Sequence, residues 1–272
     1  MKTLIIYSLY EETSETDFFL KNGIINNLDT DYVFVVNDLN FKPSNVFLDA
    51  QKKLGSRCRL ILRDNIGYDF GGYSCVVDTF TKEGRINSYE YFVFLNQTVT
   101  GPFFPSWYKD PENNWAKLFT EKINQGTKLV GITINCFYHE VIRNENVINK
   151  RRLYSPHVQS MLFATDKVGL NLLVEYSIFD YPNIHTSKIW IVMDKEIKMS
   201  RIMLENNYNI ACMLSCSNGC DFRKGKPSNA WRDALFSNSY FKENVHPYET
   251  IFIKNNRNIT PDLITNLKEW QV

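Results

Sequence analysis

Cys58-Arg59-Leu60-Ile61-Leu62 runs directly into Arg63-Asp64-Asn65-Ile66-Gly67-Tyr68-Asp69-Phe70-Gly71-Gly72-Tyr73. An apolar run of strand length ends in a loop that sets glycines among charged and aromatic residues. Glycine accepts positive φ and lets another group approach the main chain, while Asn65 and Asp69 can bond a hydroxyl, a base edge or their own backbone. This is the composition of a loop that holds a polar ligand. The same residues also read as an ordinary β-to-α turn with Asp69 as helix N-cap, and the loop by itself leaves both readings open.

Moving outward, the pattern repeats. Thr3 to Leu9 and Tyr32 to Val36 are short, β-branched, buried-strand runs, and an amphipathic helix with Phe18, Phe19, Leu20, Ile24 and Ile25 lies between them. Three successive strands therefore end in polar residues: Ser8 and Tyr10, Asn37 and Asp38, and Arg63 to Asp69. In open α/β sheets, ligands sit at that edge. A helix from Ser74 to Phe80 and a fourth strand from Tyr89 to Leu95 follow, and the strand exits sharply into Asn96-Gln97-Thr98-Val99-Thr100-Gly101-Pro102-Phe103.

Further on, the spacing predicts a helix over Asn114 to Ile123 and a strand over Lys128 to Ile134. A charged surface excursion over Glu140 to Arg152 comes next, then one strand over Tyr154 to Ala164 that sets His157 and Gln159 on the same side. Helices are expected over Val168 to Tyr176 and, without interruption, Lys188 to Asn206, with a strand over Tyr208 to Leu214. His246 to Lys254 precedes a last amphipathic segment, Pro261 to Trp270. Strands alternating with helices, irregularly spaced in the second half, imply an α/β fold with a mixed sheet in a single domain.

Composition narrows the function. The 272 residues are 44% apolar, and 31 Lys and Arg against 30 Asp and Glu leave a net charge of +1. With the basic residues spread along the chain, nothing marks a nucleic-acid partner. The amino terminus turns polar too soon for a signal peptide, and no apolar run approaches the ~18 residues of a membrane-spanning helix, so a soluble, cytoplasmic protein is expected. On that basis the sequons Asn96-Gln97-Thr98 and Asn258-Ile259-Thr260 should stay unmodified. Cys212, Cys216 and Cys220 recur every four residues, but their neighbours fit a strand entering a loop, and reduced structural thiols are expected rather than a zinc site. G-x-G-x-x-G after the first strand, G-x-x-x-x-G-K-[ST] and G-x-S-x-G are all absent, which disfavours a dinucleotide site, a P-loop and a serine hydrolase.

Three blocks in order, Arg63 to Gly72, Phe94 to Phe103 and Pro156-His157-Val158-Gln159-Ser160, resemble the R-x-N-x-G-x-D-x-G, L-N-[DS]-[ST]-x-x-G-P-F and H-x-Q-S blocks of rhamnan-synthesis-protein-F-like glycosyltransferases. The resemblance covers most of the chain. It implies a GT-A-like (Rossmann-like) fold, with a mixed, mainly parallel sheet flanked by helices. It also implies transfer of a hexosyl or deoxyhexosyl group from a nucleoside-diphosphate sugar to a glycan hydroxyl, as in polysaccharide biosynthesis. Residues 1–105 would form the nucleotide-sugar half, and residues 106–272 the acceptor side and tail.

Carried over, the resemblance places Arg63, Asn65 and Asp69 in the donor pocket, with Gly67 and Gly71 admitting the donor close to backbone; Asp69 is also a catalytic candidate, and Ser8 and Asn37 are expected to bind the donor from their strand ends. Asn96 and Thr98 stand where such enzymes place an Asp-x-Asp motif. An amide and a hydroxyl are poor ligands for Mn²⁺ or Mg²⁺, which prefer anionic oxygen. A metal would have to recruit Asp69, His246 or Glu249, or else Arg and Lys side chains would neutralise the leaving diphosphate. His157 and Gln159 would face acceptor or sugar. An inverting transfer needs a carboxylate base; Asp194 and Glu196, two apart on one helix, face different sides, and the resemblance favours Glu196. Two readings compete with a transferase. A catalytically inert nucleotide-sugar or carbohydrate-binding module is favoured by the missing carboxylates. A nucleotidyltransferase is disfavoured because Ser8 to Thr16 is acidic rather than glycine-rich and basic.

Overall fold

The computed structural model describes residues 1–25, 27–108, 110, 112, 114–141, 151–183, 186–225, 233–257 and 259–271. The first half contains β1 (Thr3–Leu9), α1 (Ser14–Asn22), β2 (Thr30–Val36), α2 (Asn45–Leu54), β3 (Cys58–Leu62), α3 (Tyr68–Lys82), β4 (Tyr91–Asn96) and the short β5 (Val99–Thr100). Next come α4 (Trp115–Thr120), β6 (Thr127–Gly131), β7 (Ile134–Val141), β8 (Arg151–Val158), β9 (Leu162–Asp166) and α5 (Lys167–Glu175). The remainder is α6 (Lys188–Ile191), a π-helical turn (Val192–Ile197), α7 (Lys198–Glu205), β10 (Asn209–Cys212), α8 (Pro247–Thr250), β11 (Ile253–Lys254) and α9 (Pro261–Trp270).

Among the described residues the central sheet has seven strands in the order β10-β6-β9-β4-β1-β2-β3. β3, β2, β1 and β4 run parallel, β9 lies antiparallel between β4 and β6, and β10 is parallel to β6. The expected mixed, mainly parallel α/β sheet flanked by helices is therefore what forms. Every residue of β1 and β2 is buried, which is why both read as continuous apolar runs rather than alternating ones. The core continues through aromatic packing: Phe94 of β4 stacks on Phe163 of β9 at 4.7 Å and on Phe179 at 5.1 Å, and Tyr73 of α3 meets Phe94 edge-on at 5.2 Å. No described helix is long and apolar enough to cross a membrane.

Several sequence expectations change. The stretch after β3 is loop only to Gly67, whose φ of +82° caps α3; the helix begins at Tyr68, so Asp69 lies in its first turn rather than at the cap. Tyr154 to Ala164 is not one strand. The chain turns after Val158, so β8 pairs with β7 in a separate ribbon while β9 enters the main sheet. The excursion over Glu140 to Arg152 has its ends in that ribbon, and residues 142–150 lie outside the described ones. The helix over 188–205 is interrupted by the π turn. Asn258 of the second sequon also lies outside the described residues, and Asn96 of the first is buried. All six cysteines are free thiols, and burial pushes that of Cys212 up to about 12.

One long-range contact shapes the functional edge. β11 pairs antiparallel with β5, matching Ile253 to Thr100 and Lys254 to Val99. Asn255 then donates its backbone N–H to the Thr98 carbonyl at 2.9 Å and its side-chain amide to the Gln97 carbonyl at 3.1 Å. The carboxyl-terminal segment is thereby strapped onto the turn that leaves β4.

Candidate functional site

A cleft of about 670 Å³ opens at the carboxyl ends of the parallel strands, within the size range of small-molecule sites. Asn37, Asn65, Asp69, Asn96 and Thr98 line one wall, and His157, Gln159, Ser160 and Glu196 an adjoining one, the two meeting where Asn96 N donates to the Met161 carbonyl at 3.1 Å. The polar strand ends that the sequence marks thus converge on one space, with residues from both halves of the chain.

On the first wall, β4 ends at Asn96 and α3 begins beside it. The Asn96 side-chain nitrogen donates to Asp69 Oδ2 at 2.5 Å, and its oxygen accepts from Thr98 Oγ1 at 2.6 Å and Thr98 N at 3.0 Å. Burial pushes the Asp69 carboxyl up to about 6, working against the Asn96 hydrogen bond and the attraction of Lys254, and Glu196 adds to the rise.

Other residues expected on this wall do different work. Arg63 is buried; its guanidinium donates to Asn37 Oδ1 and, at 2.5 Å, to the Ile66 carbonyl, and it does not line the cleft. Asn37 donates in turn to Ser8 Oγ at 3.1 Å, so Ser8, Asn37 and Arg63 form an internal chain that ties the ends of β1, β2 and β3 together. Of the three, Asn37 alone lines the cleft. Gly71 does not admit a ligand. A Cβ there would lie 2.0 Å from the Ile66 carbonyl oxygen and 2.9 Å from the Arg63 guanidinium, so this glycine lets α3 pack against its own entry loop. Gly67 serves its positive φ at the α3 cap and is not a cleft-lining residue.

The second wall is built around Glu196. Its Oε2 accepts from Ser160 N at 2.8 Å and from Ser160 Oγ, and its Oε1 lies 3.9 Å from His157 Nε2. The π turn places Glu196 here, while Asp194 does not line the cleft; such turns recur at functional sites. Burial holds the His157 imidazole below its usual range although Glu196 pulls the other way, so the ring is neutral at pH 7. Its Nδ1 lies 3.2 Å from the Ser155 carbonyl. Gln159 accepts from Thr133 Oγ1 at 2.6 Å and reaches Asp233 Oδ2 at 3.4 Å.

Sequence reasoning missed Lys254, Arg257 and Asp233, all of which line the cleft. Lys254 and Arg257 arrive with β11, and only the count of cations near the carboxyl end could have hinted at them. His246 and Glu249, considered as metal ligands, do not line the cleft. The His246 ring accepts from Tyr248 N at 3.1 Å as the cap of α8, and Glu249 Oε1 accepts from Ser215 N and Tyr240 Oη, both at 2.7 Å. Among the described residues no three His, Cys, Asp or Glu side chains gather as a cation cage. The donor set beside Asp69 also fits a divalent cation poorly, because the Asn96 oxygen is already engaged by Thr98.

No protein-family model matches the sequence, and no curated protein matches it. Among solved structures, a nucleoside-diphosphate-sugar pyrophosphorylase from Vibrio cholerae is similar over 97% of this chain and 99% of that one, with a TM-score of 0.44 and 10% identity. A mannose-1-phosphate geranyltransferase from Thermus thermophilus is similar over 65% of this chain and 61% of that one, with a TM-score of 0.33 and 12% identity. At that level neither likeness bears on the chemistry of the cleft. The resemblance of the three sequence blocks to the rhamnan-synthesis-protein-F-like family has no counterpart among these matches.

Proposed function

We propose that the cleft binds a nucleoside-diphosphate sugar and that the protein transfers the sugar to a hydroxyl of a glycan acceptor. The observation that carries this reading is that Asp69 and Glu196 line one cleft, each carboxylate fixed by its own hydrogen bonds. In this reading Asp69, Asn65, Asn96 and Thr98 hold the donor, and His157 and Gln159 face sugar or acceptor. Glu196 takes the proton from the acceptor hydroxyl as its oxygen bonds to the anomeric carbon and the bond to the diphosphate breaks. The Ser160 bonds on Oε2 leave Oε1 to receive that proton.

Melting in the presence of UDP, GDP and dTDP sugars tests the reading. A donor is expected to raise the melting temperature, Asp69→Ala to abolish the shift, and acceptor-dependent release of nucleoside diphosphate to follow. Silence toward every nucleotide sugar at millimolar concentration would overturn it.

The Asn96 arrangement supports a second reading, a binding module without catalysis: where two carboxylates would bind a metal, the amide is committed to Thr98 and Asp69. Donor-induced stabilisation with no released nucleoside diphosphate, with or without Mn²⁺, would select it.

A further inference from the structure

Lys254 lies near three carboxylates of the cleft and is hydrogen-bonded to none of them among the described residues. It is half-buried in the cleft, and burial pulls its pKa down while the Glu196, Asp233 and Asp69 carboxylates pull it back up. Its ammonium makes no hydrogen bond or ion pair among the described residues. Those carboxylates do not depend on it for partners. Asp69 is bonded by Asn96, Glu196 by Ser160, and Asp233 by the Leu235 N–H at 3.0 Å, with the Arg257 guanidinium 3.7 Å away. Desolvating an unpaired ammonium is costly, so a fold that does it in a cleft has a ligand anion to gain.

The position is also held firmly. Lys254 pairs with Val99 in the β5–β11 ribbon, and Asn255 bonds the carbonyls of Gln97 and Thr98. The backbone at Lys254 is thus tethered to the turn whose Asn96 and Thr98 fail to offer carboxylates. Arg257 also lines the cleft, close enough to Lys254 to lower its pKa further, with its guanidinium 4.3 Å from the centre of the Phe236 ring and its buried Nε without a partner among the described residues.

We propose that Lys254, backed by Arg257, is the site for the donor's diphosphate and supplies the positive charge there that Asn96 and Thr98 cannot recruit as a divalent cation. The proposal rests on the nucleotide-sugar reading and names how that ligand is held. As the bond between the anomeric carbon and the diphosphate oxygen breaks, the electron pair goes to that oxygen and its charge is met by the ammonium, while the acceptor proton goes to Glu196. The charge that a metal would bring is supplied by a side chain whose backbone is held in the β5–β11 ribbon.

The test uses the full chain treated with EDTA and inorganic pyrophosphate as the probe, followed by calorimetry and by melting. Pyrophosphate is expected to bind without metal. Lys254→Met should weaken it by about tenfold or more and Lys254→Arg by much less, because a charge-assisted hydrogen bond is worth ~1.5–3 kcal/mol. Arg257→Gln should cost less than Lys254→Met, and circular dichroism with a melt in buffer no lower than that of wild type confirms that each variant is folded. If Lys254→Met fails to fold, Lys254→Gln takes its place. Pyrophosphate binding that appears only with Mn²⁺ or Mg²⁺, or that is equal in wild type and Lys254→Met, would overturn the proposal. Metal-free pyrophosphate binding lost in Lys254→Met, with no response to any nucleotide sugar, would support the anion site while sinking the donor reading. Nucleotide-sugar binding that needs Mn²⁺ and ignores Lys254 would do the reverse.

Discussion

The Asn96 amide donates to Asp69 Oδ2 at 2.5 Å and accepts from Thr98 through its other end, so a single side chain links the exit of β4 to the first turn of α3. The amide is matched to a carboxylate, because a second carboxylate at 96 would set two negative oxygens in contact. Two such groups cannot both ionise without a cation between them. Asn96→Asp is therefore expected to melt below wild type in EDTA at pH 8, by roughly 1–3 kcal/mol of stability. It should recover in Mn²⁺, which leaves wild type unmoved. A variant as stable as wild type in EDTA would mean that the amide does not donate to Asp69.

Asp69 itself gives a pH signature. Its folded pKa of about 6 lies above the ordinary 3.8. Between those values the native state holds its proton more tightly than the unfolded chain, so this group's contribution to stability falls as pH rises from about 4 to 6 and stays lost above. At ~1.4 kcal/mol per unit the loss is at most roughly 3 kcal/mol, and solvent screening at a half-buried site makes it smaller. Asp69→Asn avoids the loss. It should be more stable than wild type in urea at pH 8, match it near pH 4, and bind no donor. Equal stability at pH 8 would show that the carboxylate is not held under strain by burial.

Gly71 distinguishes a packing glycine from a ligand-admitting one. Its absent Cβ would lie 2.0 Å from the Ile66 carbonyl oxygen, which is backbone and cannot swing aside, and near the buried Arg63 guanidinium. Gly71→Ala should destabilise the chain by about 2–4 kcal/mol, or prevent folding, as overpacking against fixed atoms does. Urea denaturation measures this without any ligand. A variant of wild-type stability that loses only donor binding would return Gly71 to the cleft.

Much of the site was legible because its residues occur at strand ends, where an apolar run turns polar. Asn96, His157 and Gln159 meet in the cleft for that reason and Asp69 follows one such end by way of α3, whereas Glu196 comes from the π turn of a helix. Roles within the loop were not legible, since Arg63 and Gly71 look the same in sequence whether they face a ligand or each other. Nor was the break between β8 and β9, because the turn at Gln159 to Met161 that separates them carries no glycine or proline. Lys254 was hidden by distance. Its tether joins Asn255 to Gln97, 158 residues earlier, and no local pattern reports a contact of that span.

Ser160 tests whether Glu196 acts on the acceptor rather than on the fold. Two of its groups, backbone N–H and hydroxyl, donate to the same Oε2, which turns Oε1 toward His157. Ser160→Ala removes the hydroxyl and keeps the N–H, so the carboxylate should stay in place with less restraint and with greater basicity on the oxygen that ought not to accept. If Glu196 is the base, kcat should fall by about tenfold, the lower end of what losing a hydrogen bond to a charged group costs. Donor affinity should not change, because the Ser160 hydroxyl bonds Glu196 and neither Asp69 nor Asn96. Ser160→Thr keeps the hydroxyl and is expected to restore most of the rate. A parallel loss of donor affinity, or a rate indifferent to Ser160 while Glu196→Gln is also active, would remove Glu196 from the reaction and leave the cleft as a binding site.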